Sequence, residues 1–536
     1  MSAAAAIAPT ARRSAINPWI VAIAVVVPTF MEVLDTTIAN VALRYIAGGL
    51  SAPVTDSEWV ITSYLAANAI ILPISGWLSV RVGRRNYFLL SIAIFTLASA
   101  LCGVAASLGM LIAARVLQGL AGGGLQPSSQ GVLLDAFPKE KQGAAQTLFG
   151  IAALLAPVVG PTLGGFITDN YGWRWIFFLN IPVGLFALWF CNRVVQDPEY
   201  LLTQQADMRR TAAPFDTLGL ALLSMTMVSW EVLLSKGQEW DWLGDPFYRV
   251  QTCLGLFILG LGGLIWREMK IKNPLINFRT LADGNFRWCC VIIFCCFGVL
   301  YANTTALPSL LQSLYGYDAT HSGVVLSPAG LGAIVTLMIV ARLLGIGTDA
   351  RYLMATGLVV MGLGSCMMSR FTLDISPWPI VIARTIFIAG LSMVFVPLNV
   401  IAFLRIPPRL RGAAVGLLAL LRNEGGSVGT SVAQTLHERR EQFHSLRLGE
   451  NLDPFNPALN DFIAQSQSGF NAVSGDPVAA NESALAALEN LRQQQASALA
   501  YFDTFFVFAV LAFALVILVM LMKSAVAPKG AHLAAE

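Results

Sequence analysis

Charge is scarce in this sequence. Asp, Glu, Lys and Arg make up 12% of its 536 residues, whereas soluble globular chains carry about 25%. Hydrophobic residues make up 56%, and the mean hydropathy is +0.67. A soluble fold of this composition would have too little polar surface to cover itself. The chain therefore reads as an all-α polytopic membrane protein. The net charge of +3 is too small to imply nucleic acid as a partner. Histidine is rare, with four scattered copies, and no metal-ligand spacing occurs. No Walker-type glycine loop is present, which argues against direct ATP coupling. No constellation of catalytic side chains is found, so neither an enzyme nor a cofactor is expected. Cysteine is missing from the polar stretch 434–500, so no disulfide is expected there. The eight cysteines sit in or at the ends of apolar segments. Cys289, Cys290, Cys295 and Cys296 read as small, polarizable packing residues rather than a metal or redox site.

Long apolar runs are what the sequence has. Windows of about 20 apolar residues mark spanning helices. Fourteen are read, at 18–43, 57–79, 87–106, 109–134, 144–168, 173–195, 215–236, 249–267, 287–311, 322–342, 351–370, 378–404, 412–433 and 501–523. An even number puts both ends on one side. With the N-terminus inside, 22 Lys and Arg fall in or near inner connections and nine in outer ones. The positive-inside rule then places residues 1–17 and 524–536 in the cytoplasm. Residues 1–17 do not read as a cleaved signal peptide, because the segment after them is too long and carries acids.

The sequence repeats. "IAARVLQGLAGGGLQP" (112–127) resembles "VIARTIFIAGLSMVFVP" (381–397), with Arg115 and Arg384 offset by 269. The offset is 266 further upstream, which sets Tyr301 against Asp35. The chain thus holds two six-helix halves, 18–195 and 287–523, in parallel repeat. Residues 196–286 supply linkers and two inserted helices, with Glu231 read as interfacial. Parallel repeats with a site between them are a feature of secondary transporters. The second half also contains the long outer loop 434–500. A docking surface, a lid and a disordered loop all fit that loop's composition, with Asn481 as a helix-capping residue.

Acids inside the spans are the informative exceptions. A charge at the bilayer centre costs roughly 2.5 to 3.5 kcal/mol on insertion scales. Glu32 and Asp35 lie on the first apolar segment at i and i+3, on one helix face. Counting residues along the helices puts Asp35 and Arg115 at similar depth, so an ion pair is expected. Both acids are expected to face a central cavity. A carboxylate that faces both an arginine and a cavity can gain and lose a proton as access changes, as proton coupling requires. The alternative is a buried structural salt bridge. One arginine does not neutralise two acids, so the second invites a shared proton or a cationic substrate. Gln126, Arg384, Arg422 and Glu424 are further substrate or inter-half candidates. Arg422 suits either an anionic substrate group or a structural tie. It does not share a helix face with Glu424.

Four stretches carry a family resemblance. "VLDTTIANVAL" (33–43), "GWLSVRVGRR" (76–85), "APVVGPTLGGFITDNYGWRWIFFLNIPVG" (156–184) and "RNEGGSVGTS" (422–431) resemble motifs of the fourteen-helix drug:proton antiporters of the major facilitator superfamily, the EmrB/QacA group. The resemblance implies the major facilitator fold. It implies proton coupling through Asp35, Glu32 and Arg115. It gives Gly76, Arg81, Gly83, Arg84 and Arg85 the role of a cytoplasmic clamp between the halves. Val80 departs from that clamp, since the family usually has an aspartate there. Pro157, Gly160, Pro161, Gly164 and Gly165 match the antiporter motif of the fifth helix, read here as a kinked seam between the halves. The implied function is export of amphipathic drugs or toxic compounds across the bacterial inner membrane, driven by the proton motive force. Export of one metabolite, such as a fatty acid or siderophore, is the alternative. A non-transporting scaffold or receptor fits the intramembrane acids less well. The EmrB-like loop length also implies a periplasmic membrane-fusion adaptor and an outer-membrane channel as partners, beside the substrate and the lipid bilayer.

Overall fold

A computed structural model of the chain describes residues 17–138, 141–210, 216–271, 274–453 and 455–523. Residues 1–16 and 524–536, for which a cytoplasmic location is expected, lie outside them. Thirteen of the described helices are long and apolar enough to cross a membrane. Twelve of them are α1 (Pro18–Gly49), α2 (Thr55–Val82), α3 (Arg84–Gly103), α4 (Leu108–Ala136), α5 (Gln142–Tyr171), α6 (Trp175–Val194), α7 (Thr217–Lys236), α8 (Arg249–Lys270), α9 (Gly284–Ser313), α10 (Thr320–Gly345), α11 (Ala350–Met368) and α12 (Pro377–Leu404). Next comes α13 (Arg411–Gly449), whose hydropathy is lowered by Arg422, Asn423 and Glu424, and then α14 (Pro477–Met520), the thirteenth apolar span. The fourteen expected helices are thus present in order.

Local chemistry sets the helix starts. The side chains of Asn17, Ser107, Asp216, Asp283 and Asp349 each accept from a first-turn backbone N–H, satisfying a donor that the helix leaves free. Helix α4 is bent at Gly123 and Gly124. A Cβ on Gly123 would lie 2.7 Å from the Asn68 carbonyl oxygen, so the bend lets α4 press against α2.

Helices α1–α6 form one bundle and α9–α14 the other. They meet where α2 packs on α13 and α5 packs on α10. The inserted α7 packs on α2 and α13 together, so it covers one seam between the halves. Its partner α8 lies on the outside of α7 and exposes Leu259 and Met269. The starts of α9 and α11 lie beside the end of α14, where Asn285 donates to the Lys523 carbonyl and Arg351 to that of Met522. This end of the molecule, which also holds the start of α1, is here called the terminal face.

The stretch 434–500 differs from the expected loop. Helix α13 runs on to Gly449, a separate outer helix spans Pro457–Ser474, and α14 begins at Pro477, long before its apolar part. The described part of the stretch is therefore largely helical. Asn456 and Asp476 are the caps, each followed by proline at the first helical position. Asn481 is not a cap: it lies inside α14 and its side chain accepts from Gln467 of the outer helix.

Candidate functional site

Asp35 and Arg115 form the expected ion pair, with Arg115 Nη1 2.6 Å from Asp35 Oδ2. Three elements build its surroundings. From α4, Gln118 Nε2 donates to Asp35 Oδ1 at 3.0 Å, and from α6, Asn180 Nδ2 donates to the same oxygen at 2.6 Å. Both amides also donate to Ser99 Oγ of α3. Arg115 donates further to Gln118 and to the Val60 carbonyl, and its guanidinium stacks 4.1 Å above the Tyr64 ring. Every member of this cluster is nearly enclosed: Asp35 is 4% exposed and Arg115 fully buried. The carboxylate therefore faces the interior of the first bundle and not the central cavity, contrary to the expectation. The bulky motif residues of α1 around it, Val33, Leu34 and Ile38, fill the space between α1 and α5 and close it off from water.

Glu32 lies one turn away with different partners. It accepts from Tyr64 Oη at 3.1 Å, from Asn68 Nδ2 at 3.3 Å and from Gln126 Nε2. Gln126 Oε1 in turn accepts from Arg422 Nη2 of α13. Arg422 lies 5.6 Å from the ring centroids of both Phe149 and Phe297, one from each bundle. Gln126 and Arg422, both singled out in the sequence, thus join Glu32 to the opposite half. Tyr64 connects the two acids, since its hydroxyl serves Glu32 while its ring lies under Arg115.

In the second half, Arg384 Nη2 donates to Thr304 Oγ1 at 3.0 Å, while Nε and Nη1 find no partner among the described residues. Thr304, and not Tyr301, therefore stands where Asp35 stands in the first half. Glu424 points away from Arg422, as its spacing requires, toward Glu231 of α7. Glu231 is fully buried, so the interfacial reading of that residue is corrected.

The loop motif at the terminal face does clamp the halves, with an acid from elsewhere. Arg84 is paired with Asp135 of α4, and Arg411 at the start of α13 lies 3.4 Å from the same carboxylate. Tyr200 of the linker helix Glu199–Arg210 donates to Asp135 at 2.8 Å. Asp135 fills the acidic role that Val80 cannot. Gly76 lies against Gly412, and a Cβ on Gly76 would sit 2.5 Å from the Gly412 carbonyl carbon. Gly83 has φ +96°, a left-handed conformation suited to glycine, and starts the turn that brings the Arg85 N–H to Asp197 at 2.8 Å. Arg81 stays outside the clamp and stacks on Trp77.

The motif glycines Gly160 and Gly164 of α5 face α1 within their own half. A Cβ on Gly160 would lie 2.1 Å from Thr37 Oγ1, and one on Gly164 3.1 Å from Ile38. Gly165 is buried beside them, and Pro157 and Pro161 lie inside the continuous helix. The seam with the other half instead uses Leu155 and Thr162 of α5, against Gly330 and Gly323 of α10. The expected inter-half seam is thus correct for the helix and incorrect for its glycines.

Two cavities lie between the halves toward the face opposite the termini. One, of about 650 Å³, is lined by α1, α2, α5 and α9 and reaches the exposed Tyr45, Asp169 and Gln312. The other, of about 150 Å³, lies between α1, α2, α7, α9 and α13. They share Asn40, Leu43, Glu58, Tyr301 and Thr305.

Two bundles in parallel repeat, cavities between them and a buried ion pair beside those cavities define a secondary transporter. Residues 25–430 match the sequence model of the Major Facilitator Superfamily, and the chain belongs to that family. It is a multi-pass membrane transporter and not an enzyme. Among its relatives, the multidrug export protein EmrB of Escherichia coli is 36% identical over 83% of this chain and 85% of its own length. The fatty acid resistance protein FarB of Neisseria gonorrhoeae is 34% identical over 82% and 85%. The fold resembles that of the human organic anion transporter MFSD10, with a TM-score of 0.57 at 14% identity, covering 93% of this chain and 99% of that one.

Proposed function

We propose that the protein is a proton-coupled antiporter that exports amphipathic drugs or toxic compounds across the bacterial inner membrane, with both termini in the cytoplasm. The observation that carries this reading is the path from Asp35 to Arg422. Asp35 is held by Arg115, Gln118 and Asn180 inside the first bundle, and Glu32, one turn away, is held through Gln126 to Arg422 of the other bundle. When the halves rock, the Gln126–Arg422 contact that links Glu32 to the other half must change, because its two ends belong to different bodies. The Arg115 pair need not change. Glu32 is then the acid whose partner depends on the access state. It can exchange Arg422 for a proton or for a positive substrate group. Tyr64 would transmit that exchange to Arg115 and so to Asp35.

With the termini in the cytoplasm, the clamp of Gly76, Gly412 and Asp135 closes the inner side and the cavities open outward. This is the state in which substrate leaves and protons load. The polar helical stretch around Pro457–Ser474 projects from the outer face, where Phe455 and Val473 are about nine-tenths exposed. That exposed tip suits contact with a membrane-fusion adaptor and, through it, an outer-membrane channel. A second reading, export of one metabolite such as a fatty acid, draws on the likeness to FarB and on the buried, under-bonded Arg384. The deciding experiment is transport into proteoliposomes under an imposed pH gradient, across cationic, neutral and anionic compounds. Cation and neutral-compound uptake that follows the gradient supports the first reading. Uptake confined to fatty acids supports the second, and gradient-independent behaviour of every compound overturns both.

A further inference from the structure

The inserted helix α7 brings a second carboxyl pair into the membrane interior. Glu231 is fully buried and Glu424 is 5% exposed. Glu231 Oε1 accepts from Ser427 Oγ at 3.1 Å, one turn beyond Glu424 on α13. The two carboxyl groups lie within mutual hydrogen-bonding reach. Yet among the described residues Glu231 Oε2 and both Glu424 oxygens lack a well-aligned donor, the Trp230 indole N–H being the one donor near Glu424. Two unprotonated carboxylates cannot bond each other, and two adjacent buried charges repel strongly. One proton held between them supplies the missing donor and removes half of the charge.

No cation among the described residues neutralises the pair. Lys236, a turn and a half further along α7, is engaged by Glu58 at 2.7 Å, Glu239 at 2.5 Å and the Thr55 carbonyl. Arg422 turns to Gln126 on another face of α13. From α9 the neighbouring titratable group is Tyr301, and from α2 it is Glu58, both of them cavity-lining. The Trp230 indole lies near Glu424 and stacks on Phe257 of α8 at 4.6 Å.

Glu231 lines the 150 Å³ cavity together with Asn40, Asn423, Ser427 and Gln434. That volume suits a small ammonium head. The larger cavity adjoins it across Tyr301 and Thr305 and has room for a tail. We propose that Glu231 and Glu424 form a proton-sharing carboxyl pair that receives the ammonium head of an amphipathic cation and releases its proton as the cation enters. The proposal rests on the antiport reading for its role in transport, but the binding step stands apart from it. The released proton passes to cavity water, and no covalent bond changes. The inserted helices thereby gain a part in choosing substrate: a cation displaces the proton, whereas a neutral compound does not.

The probe is decyltrimethylammonium, added below its micellar concentration to the full-length protein in nanodiscs. Infrared difference spectra report protonated carboxyl groups, and a pH dye reports released protons. Wild type should lose a protonated-carboxyl band and release protons on addition. Glu231→Gln and Glu424→Gln should each reduce that release by the share of this pair and weaken cation binding by roughly tenfold or more, the order expected for removing one charged contact. Asp35→Asn should retain both signals even where it abolishes transport, which separates this proposal from the antiport reading. Wild-type release and affinity in both glutamine variants would overturn the pair. A readout on unaltered protein needs no variant to fold. Dicyclohexylcarbodiimide, which reacts with protonated carboxyls in apolar surroundings, should label Glu231 or Glu424, and the cation should protect them. Label confined to other acids would equally overturn it.

Discussion

Arg384 donates to Thr304 at 3.0 Å, and Thr304 follows Asp35 by the same 269 residues that separate Arg384 from Arg115. The repeat has kept the arginine and exchanged its acid for a hydroxyl. The first half therefore holds a neutralised pair, and the second a buried cation with two nitrogens that have no partner among the described residues. Any coupling chemistry is asymmetric at the level of single side chains.

The two arginines should respond differently to removal of their charge. Arg115→Met leaves Asp35 buried without its counter-charge, a loss of roughly 3–5 kcal/mol. Arg384→Met removes a cation that has one hydrogen bond and fills the space with apolar volume. It should be neutral or stabilising, within about 1 kcal/mol of wild type on the unfavourable side. Thermal unfolding in detergent checks this. Equal losses for both would mean that Arg384 has a partner as strong as Asp35.

The closure at the terminal face depends on an absent side chain. Gly76→Ala places a Cβ 2.5 Å from a backbone carbon of Gly412, which cannot rotate away. Overpacking of this kind costs typically 1–3 kcal/mol. Here it falls on the closed arrangement alone, so α2 and α13 should separate at this face. Cysteine probes near Arg81 and Arg409 should become more accessible, and transport should fall. Gly143→Ala, whose Cβ meets nothing within 4 Å, is the control and should behave as wild type. Unchanged accessibility in Gly76→Ala would show that the closure does not rely on this contact.

Charges within the apolar runs were legible in the sequence, and of the neutral polar partners only Gln126 was. Asp35 and Arg115 could be paired by counting helical rise, because a charge in an apolar run stands out. Gln118, Asn180 and Ser99 complete the same cluster, but single amides and hydroxyls in a helix have no periodic signature. Asn180 even lies inside a quoted motif stretch. Val80 signalled that the clamp lacked its usual acid, and Asp135 near the end of α4 was the residue to look for. Glu231 was misread because distance from a helix end measures depth along the chain, not what a neighbouring helix covers. Its burial follows from α7 packing over the seam of α2 and α13, which local pattern does not encode. The outer stretch was misread for the opposite reason. Its turn residues, Asn456, Pro457, Asp476 and Pro477, are helix caps and first-turn positions rather than loop.

The helical outer stretch gives a defined deletion. Gly449 ends α13 beside Arg492 of α14, which donates to the Ser445 carbonyl at 3.2 Å, whereas Pro477 lies about 22 Å of helix away from Arg492. Replacing 450–476 by a glycine-serine linker long enough to span that rise removes the outer helix and leaves the Arg440–Asp503 pair in place. Transport in proteoliposomes should be retained, while resistance of whole cells should fall to that of the empty vector. Full whole-cell resistance after the deletion would exclude this segment as an adaptor contact.

The coupling role of the first-helix acids has the sharpest test. Asp35→Asn keeps the size of the side chain, but its one oxygen can accept either from Arg115 or from Gln118 and Asn180, and its NH2 then faces the donors on the other side. A structural role for Asp35 therefore predicts a protein that is less stable by roughly 3 kcal/mol or more, because Arg115 becomes an uncompensated buried cation, but that still transports where folded. The coupling role predicts that any folded Asp35→Asn protein binds substrate yet shows no uptake driven by a pH gradient. Glu32→Gln should be milder, since its oxygen can still accept from Tyr64 and Asn68, which share one oxygen of Glu32, and only the Gln126 contact is lost. It should weaken cationic substrates most, because it removes the negative partner that Arg422 and a cation share in turn. Substrate-induced proton release from detergent-solubilised protein reads both acids at once. The Glu32→Gln, Asp35→Asn double variant should release fewer protons than wild type when a neutral substrate is added, since such a substrate leaves the Glu231–Glu424 pair protonated. Equal release from the two proteins would place the coupling protons on groups other than these.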